Sequence, residues 1–219
     1  MSYQHKYIDG TKVHFPLGKV VCIGRNYAEH AKEFNNPAPL EPMIFLKPPS
    51  SLIGSGGAIV LPKVSERVDY EGELGVVIGK RARNVKKADA ANYILGYTCV
   101  NDVSARDLQR KDGQWARAKG FDTFCAVGPC MVPRDKVDLG KLRVRTFHNG
   151  EKKQDAPITD MLFDVNVIIE YISAFMTLEP GDLIATGTPS GVGPLLPGSN
   201  IRIDIEGVGV LENTVIAEG

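Results

Sequence analysis

Short apolar runs broken by Gly- and Pro-rich stretches recur from residue 19 onward, the punctuation expected of a β-rich roll or sandwich. Residues 19–24 (KVVCIG) form one such run, a predicted buried strand that delivers Arg25-Asn26-Tyr27 at its end, and residues 43–47 (MIFLK) form another with a lysine at its exit. Over 68–78 the pattern turns to alternation. Side chains two apart on a strand point the same way, so Glu71 and Glu73 share one face while Gly72, Leu74, Val76 and Ile78 share the other. Residues 95–100 predict an apolar strand ending in Asn101-Asp102, with a helix following from Ser104 through Gln109. Residues 142–148 alternate and meet Asn149-Gly150, a tight-hairpin dipeptide, which leaves His148 at the surface beside a turn. Residues 200–207 and 209–215 predict a second hairpin that closes a sheet.

Helices are few. A turn or two is predicted over 28–34, closed by Asn35-Asn36-Pro37, and a short helix over 88–94. The single long one spans 160–176, where Met161, Leu162, Val165, Ile168, Ile169, Ile172 and Phe175 keep helical spacing behind a Thr159 or Asp160 cap. Residues 115–124 read as loop. Residues 1–17 look like a short leader with strand character around Val13-His14-Phe15, and 18–219 like one domain.

Composition narrows the function classes. A chain of 219 residues with 43% hydrophobic content can bury one sizeable core. Its 26 basic and 26 acidic side chains argue against a nucleic-acid surface or a polybasic membrane anchor. No apolar run approaches the roughly 20 residues of a spanning helix, and the first residues carry no signal-like core, so a soluble cytoplasmic protein is expected. Cys22, Cys99, Cys125 and Cys130 show no C-x-x-C spacing and read as buried reduced thiols.

The candidate chemistry is acidic. Two like charges side by side on a strand call for a cation or a shared proton, and an oxygen-liking divalent metal satisfies Glu71 and Glu73; the same E-x-E also describes a solvated sheet edge. Gly72 and Gly75 mark places where something approaches the backbone closely. Asp102, at a strand-to-helix junction, faces an open site or caps the helix; Arg106 and one or both of Gln109 and Arg110 share its face, with Arg106 either bridging to Asp102 or reaching a substrate carboxylate. His30 and Glu33, three apart on a helix, make either a general-base pair or a surface ion pair. Lys119 between small residues is either solvated or a point charge aimed into a pocket. Residues 186–194 (TGTPSGVGP) lack the lysine and helix of a P-loop, but their amides and the Thr188 hydroxyl could hold a carboxylate.

Taken in order, Gly24-Arg25-Asn26-Tyr27 with His30 and Glu33, Tyr70-Glu71-Gly72-Glu73-Leu74, Asn101-Asp102 with Arg106-Asp107, Lys119-Gly120-Phe121-Asp122, and Gly181-Asp182 through Gly193 resemble the fumarylacetoacetate hydrolase family, in its small acylpyruvase and fumarylpyruvate hydrolase-like branch. The resemblance implies a mainly β (α+β) mixed roll with one long helix and a few short ones, and a homodimer. It implies Mg²⁺ or Mn²⁺, with Ca²⁺ as a stand-in, on Glu71, Glu73 and Asp102. It further implies His30 and Glu33 as the water-activating dyad, Lys119 as the positive group at the reacting carbonyl, and Arg25, Arg106, Gln109 and Thr188 as contacts to a small keto-acid or dicarboxylic substrate. The expected reaction is hydrolytic cleavage of a 2,4-dioxo acid to pyruvate and a carboxylic acid, with the enolate charge balanced by the cation. Oxaloacetate decarboxylation and isomerisation of a muconate-type diacid use the same device, and a non-catalytic metal-binding scaffold is the reading outside enzymes. The segment from Ala28 to Pro39 is expected to be a lid that holds His30 away from an empty site.

Overall fold

The computed structural model describes residues 4–33 and 37–219. In chain order its elements are β1 (Val20–Gly24), α1 (Ala28–Glu33), β2 (Met43–Lys47), β3 (Leu52–Gly54), β4 (Ala58–Leu61), β5 (Val68–Tyr70), β6 (Gly72–Ile78), β7 (Ile94–Asp102), β8 (Ser104–Ala105), α2 (Arg106–Asp112), α3 (Ala116–Gly120), β9 (Cys125–Pro133), β10 (Arg143–His148), β11 (Glu151–Pro157), α4 (Val165–Phe175), β12 (Leu183–Ala185), β13 (Gly193–Pro194), β14 (Asn200–Ile205) and β15 (Gly209–Ala217). The expected mainly β (α+β) class with one long helix is what these elements make.

Three sheets carry the fold. A mixed seven-stranded sheet runs β2-β1-β12-β6-β7-β9-β3, a five-stranded sheet runs β11-β10-β14-β15-β4, and a small one runs β13-β5-β8. The Val/Ile/Leu-rich strands at the centre of the first sheet are buried on both faces. On one side Val21, Leu74, Val76 and Ile78 meet Ile168, Ile169 and Ile172 of α4 and Ile203 and Ile205 of β14. On the other, Val20, Val77 and Val100 pack with Val13, Tyr7, Phe15 and Leu17 from the N-terminal segment.

The Glu71/Glu73 stretch is therefore no half-exposed strand: every residue of β6 is buried, and the alternation expected between core and outside is one between two enclosed faces. It also breaks at Glu71, with β5 in the small sheet and β6 in the large one. Gly72 lies where the five-stranded sheet seats, since a β-carbon there would overlap the Thr146 hydroxyl and crowd Gln154; at Gly75 it would crowd Val100 and Thr98. Both glycines are close-approach positions, as their missing side chains led one to expect.

Several expected boundaries move. The helix after Asp102 starts at Arg106, because Ser104-Ala105 first pairs with β5 as β8; Ala105, not Asp102, occupies its N-cap. Residues 116–120 form a helix where a loop was expected. The long helix begins at Val165 behind Asp164, whose side chain accepts from the Val167 amide, while residues 158–160 form a separate 3₁₀ turn. The Asn149-Gly150 hairpin forms, and His148 beside it is half-buried with Nε2 2.9 Å from Ser199 Oγ. Phe34, Asn35 and Asn36, where the first helix was expected to close, lie outside the described residues.

Candidate active site

Side chains from well-separated parts of the chain meet at one cavity of about 290 Å³, lined by Arg25, His30, Glu71, Glu73, Arg106, Gln109, Arg110, Trp115, Lys119 and Thr188 among others. Arg25 follows the last residue of β1 and takes φ 57°, a strained value for an arginine and one that turns the chain toward α1. The β5–β6 junction supplies Glu71 and Glu73, the end of β7 supplies Asp102, and α3 supplies Lys119. The three carboxylates are each at most 4% exposed, and one oxygen from each lies within 4.8 Å of the others.

The charges around them are almost matched. Arg106 donates to Glu71 at 2.5 Å and to Asp69 at 2.9 Å, and Lys119 donates to Glu71 and Asp102 at 2.7 Å each. Lys47 donates to the other oxygen of Asp102 at 2.5 Å and to the Val103 carbonyl. Arg106 thus bridges to Asp69 and Glu71 rather than to Asp102. Among the described residues no lysine or arginine forms an ion pair with Glu73, whose Oε2 accepts from the Gly187 amide at 2.8 Å.

That asymmetry splits the pair. Burial pushes the Glu71 carboxyl up, but Arg106 and then Lys119 overcome it and hold the group well below the usual range. Burial pushes Glu73 up as well, and the Asp102 and Glu71 charges push it further, so it stands well above the usual range. Burial opposes the charge of Lys119 too, yet Asp102 and Glu71 outweigh it and keep the ammonium above its ordinary value.

The dyad is docked against the same cavity. His30 is 7% exposed, its Nδ1 lies 3.2 Å from Glu33 Oε2, and the Gly191 amide donates to Glu33 Oε1 at 3.2 Å. His30 is thus not held away from the site as expected of a lid: it lines the cavity with Glu71 and Glu73, while residues 34–36 of the expected lid lie outside the described residues. Gln109 accepts from Arg106 at 3.0 Å. Thr188, 2% exposed, donates to the Gly72 carbonyl and accepts from Gln154, so its hydroxyl is engaged by the protein. The glycine loop does bind carboxylates, those of Glu73 and Glu33.

Sequence reasoning passed over other parts. Lys47, 1% exposed, shows in the sequence only as a lysine that ends an apolar run. Asp69, Trp115 and Phe45 gave no chemical signal. Trp115 packs edge-on to Phe45 with ring centroids 5.2 Å apart, and these rings lie beneath the Arg25 guanidinium, 5.9 Å from Trp115, and the Lys119 ammonium, 4.9 Å from Phe45.

The family described as fumarylacetoacetate (FAA) hydrolase C-terminal matches residues 19–216. The chain belongs to the fumarylacetoacetate hydrolase family. A mitochondrial oxaloacetate tautomerase of Bos taurus is 45% identical over 208 residues, covering 90% of this chain and 66% of that protein. Among solved structures, a 2-hydroxyhepta-2,4-diene-1,7-dioate isomerase from Mycobacterium marinum is 50% identical with a TM-score of 0.85, covering 93% of this chain and 76% of that one. A fumarylpyruvate hydrolase from Pseudomonas aeruginosa, in complex with Mn²⁺ and pyruvate, is 30% identical with a TM-score of 0.92 and covers 99% and 97%. Hydrolases, isomerases and tautomerases thus share this family's scaffold.

The residues present fit a divalent cation of the family's kind. An octahedral Mg²⁺ with bonds of about 2.0–2.1 Å spans oxygens about 3 to 4 Å apart, compatible with the triad's spacing. The donor set is all oxygen, which suits Mg²⁺ or Mn²⁺, and Glu73 is a buried carboxylate with no lysine or arginine ion pair among the described residues. Among the described residues no helix is long and apolar enough to cross a membrane.

Proposed function

We propose that this chain is a Mg²⁺- or Mn²⁺-dependent hydrolase that cleaves the carbon–carbon bond of a 2,4-dioxo acid, of the acylpyruvate or fumarylpyruvate type, to pyruvate and a carboxylic acid. The observation that carries the reading is that His30, held by Glu33, lines the same cavity as Glu71, Glu73 and Lys119, with Asp102 behind them on the Lys119 ammonium. A cation on Glu71, Glu73 and Asp102 would supply Lewis acidity toward the substrate's 1-carboxylate and 2-oxo oxygens. Arg25 and Arg106 bring positive charge to the walls of the same cavity, which suits an anionic substrate.

Glu33 holds His30 at Nδ1, so Nε2 is the atom that takes a proton from water. The hydroxide adds to the 4-carbonyl, whose oxygen gains negative charge beside Lys119. The C3–C4 bond then breaks, its electrons pass to C3 and the 2-oxo group as the pyruvate enolate, and the proton held on His30 returns to C3. A second reading is keto–enol tautomerisation of oxaloacetate, favoured by the 45% identity to the Bos taurus tautomerase. It needs the same base to move a proton at C3 and no water.

The test is turnover by purified protein with Mg²⁺ or Mn²⁺ on acetylpyruvate, fumarylpyruvate and oxaloacetate, following enol absorbance and pyruvate. Hydrolysis predicts pyruvate from a dioxo acid, and His30→Ala is expected to lower that rate by about 10²–10⁴-fold while Mn²⁺ still binds. Loss of enol absorbance from oxaloacetate alone, with no pyruvate formed, supports the second reading instead.

A further inference from the structure

The glycine loop between β12 and β13 lies alongside the carboxylate stretch and is tied to it in register. The Thr186 amide and hydroxyl both donate to the Leu74 carbonyl, the Gly187 amide donates to Glu73, and the Thr188 hydroxyl donates to the Gly72 carbonyl. Tyr70 donates its hydroxyl to the Gly191 carbonyl at 3.0 Å, and Gly193 pairs with Tyr70. At Gly191 the loop turns outward with φ 97°, where a β-carbon would overlap the Lys153 carbonyl, and its amide reaches Glu33. One loop therefore holds a carboxylate of the triad at one end and the carboxylate of the dyad at the other.

Its middle is fixed from the second sheet. Gln154 is 1% exposed on β11, between exposed Lys152 and Lys153 on one side and exposed Asp155 on the other. Its Oε1 accepts from the Gly72 amide at 3.1 Å, and its Nε2 donates to Thr188 Oγ1 and the Pro189 carbonyl at 2.8 Å each. Only this amide orientation satisfies an N–H on one side and a carbonyl on the other. A buried glutamine on a charged edge strand, with all three bonds directed at the loop and at the residue between the two glutamates, is placed for the site rather than for the core.

We propose that Gln154 and Tyr70 are positioning residues that set the distance between the His30–Glu33 dyad and the acidic triad, with the glycine loop as the ruler between them. This deepens the reading given above and rests on it for the rate effect alone. Tyr70→Phe removes one hydroxyl and leaves the ring packed, so Gly191 keeps its fold but loses its anchor, and Glu33 loses a fixed donor. The expected result is a kcat lower by about tenfold, the range for partners that orient reacting groups, with KM and the Mn²⁺ affinity read by paramagnetic resonance within twofold of wild type. Hydrogen–deuterium exchange is expected to rise in residues 28–33 and 186–193 and nowhere else. Gln154→Met is expected to raise exchange in the same segments and, by freeing the Gly72 amide, to weaken Mn²⁺ binding as well.

In Tyr70→Phe, unchanged exchange in both segments overturns the proposal, as does a rate loss matched in that variant by an equal loss of Mn²⁺ affinity, which marks general damage to the site; unchanged exchange in Gln154→Met overturns the part played by Gln154. The exchange measurement needs no turnover. A wild-type protein inactive on every oxo acid tried therefore overturns the functional reading, while the exchange result still decides the positioning one.

Discussion

At the scale of single residues the decisive asymmetry is between Glu71 and Glu73. The first is matched by ion pairs to Arg106 and Lys119; the second has one amide and the more distant Lys119 charge against burial and two like charges. A buried carboxylate in that position opposes folding until a cation arrives. Glu73→Gln, which keeps the shape and can still accept from Gly187, is therefore expected to raise the melting temperature of metal-stripped protein by about 2–4 °C, equivalent to about 1 kcal/mol. The same variant is expected to lose the extra stabilisation that Mn²⁺ gives wild type. Thermal scans in chelator and in excess Mn²⁺ read both, and a variant that melts lower than wild type in chelator shows that Glu73 is not the uncompensated charge. The triad itself was legible because its carboxylates fall at telling places: two on one strand face and one at a strand end. Lys47 was not, since nothing local to an apolar run says that its terminal lysine turns inward to reach Asp102, 55 residues on.

Between elements, the sequence spoke clearly wherever a signal is local. Asn149-Gly150 gave the hairpin, and residues 19–24, 43–47 and 95–100 gave strands because short β-branched runs have few other uses. It spoke less clearly where tertiary pairing overrides local preference. Ser104-Ala105 joins β8 because β5 offers an edge, which delays α2 to Arg106 and takes Asp102 off the helix face it was expected to share. Gly72 is the position at which two sheets meet, and it yields a test. Gly72→Ala drives a methyl into the Thr146 hydroxyl, and relieving it means separating β6 from the five-stranded sheet. The expected cost is about 1–3 kcal/mol. Thr146 Oγ1 is buried with no hydrogen-bond partner among the described residues, so Thr146→Ala alone is expected to be close to neutral. Combined with Gly72→Ala it is expected to recover part of the loss, leaving the crowding against Gln154. Urea unfolding of the two single variants and the double one measures the coupling; strictly additive losses would show that the two side chains do not compete for one space.

Over the whole molecule, the large sheet has two apolar faces to cover and only one of them meets α4 and the second sheet. The other is covered in part by residues that read as a leader, with Val13 1% exposed and Tyr7, Phe15 and Leu17 packed on the β1–β12–β6 centre. Their contribution was hidden in the sequence because each is a lone apolar residue without a period, and the face they cover is formed by strands far away in the chain. His5 enters the interior with them, 1% exposed, its carbonyl accepting from the Val13 amide. Burial lowers its imidazole from an ordinary 6.5 to about 4. The folded state thus holds His5 neutral over a range in which the unfolded chain binds a proton. Stability linked to this group is complete above pH 6.5 and drains away as the pH falls toward 4, by about 3 kcal/mol in all. His5→Leu removes the proton site while keeping an apolar group under the sheet. Its urea midpoint is expected to fall less steeply than that of wild type between pH 6.5 and 4, and the two curves are expected to run parallel from pH 7 to 8. Parallel curves over the acid range as well would mean that the N-terminal segment detaches before the molecule unfolds, so that His5 titrates in water in both states and the second face of the sheet is held without it.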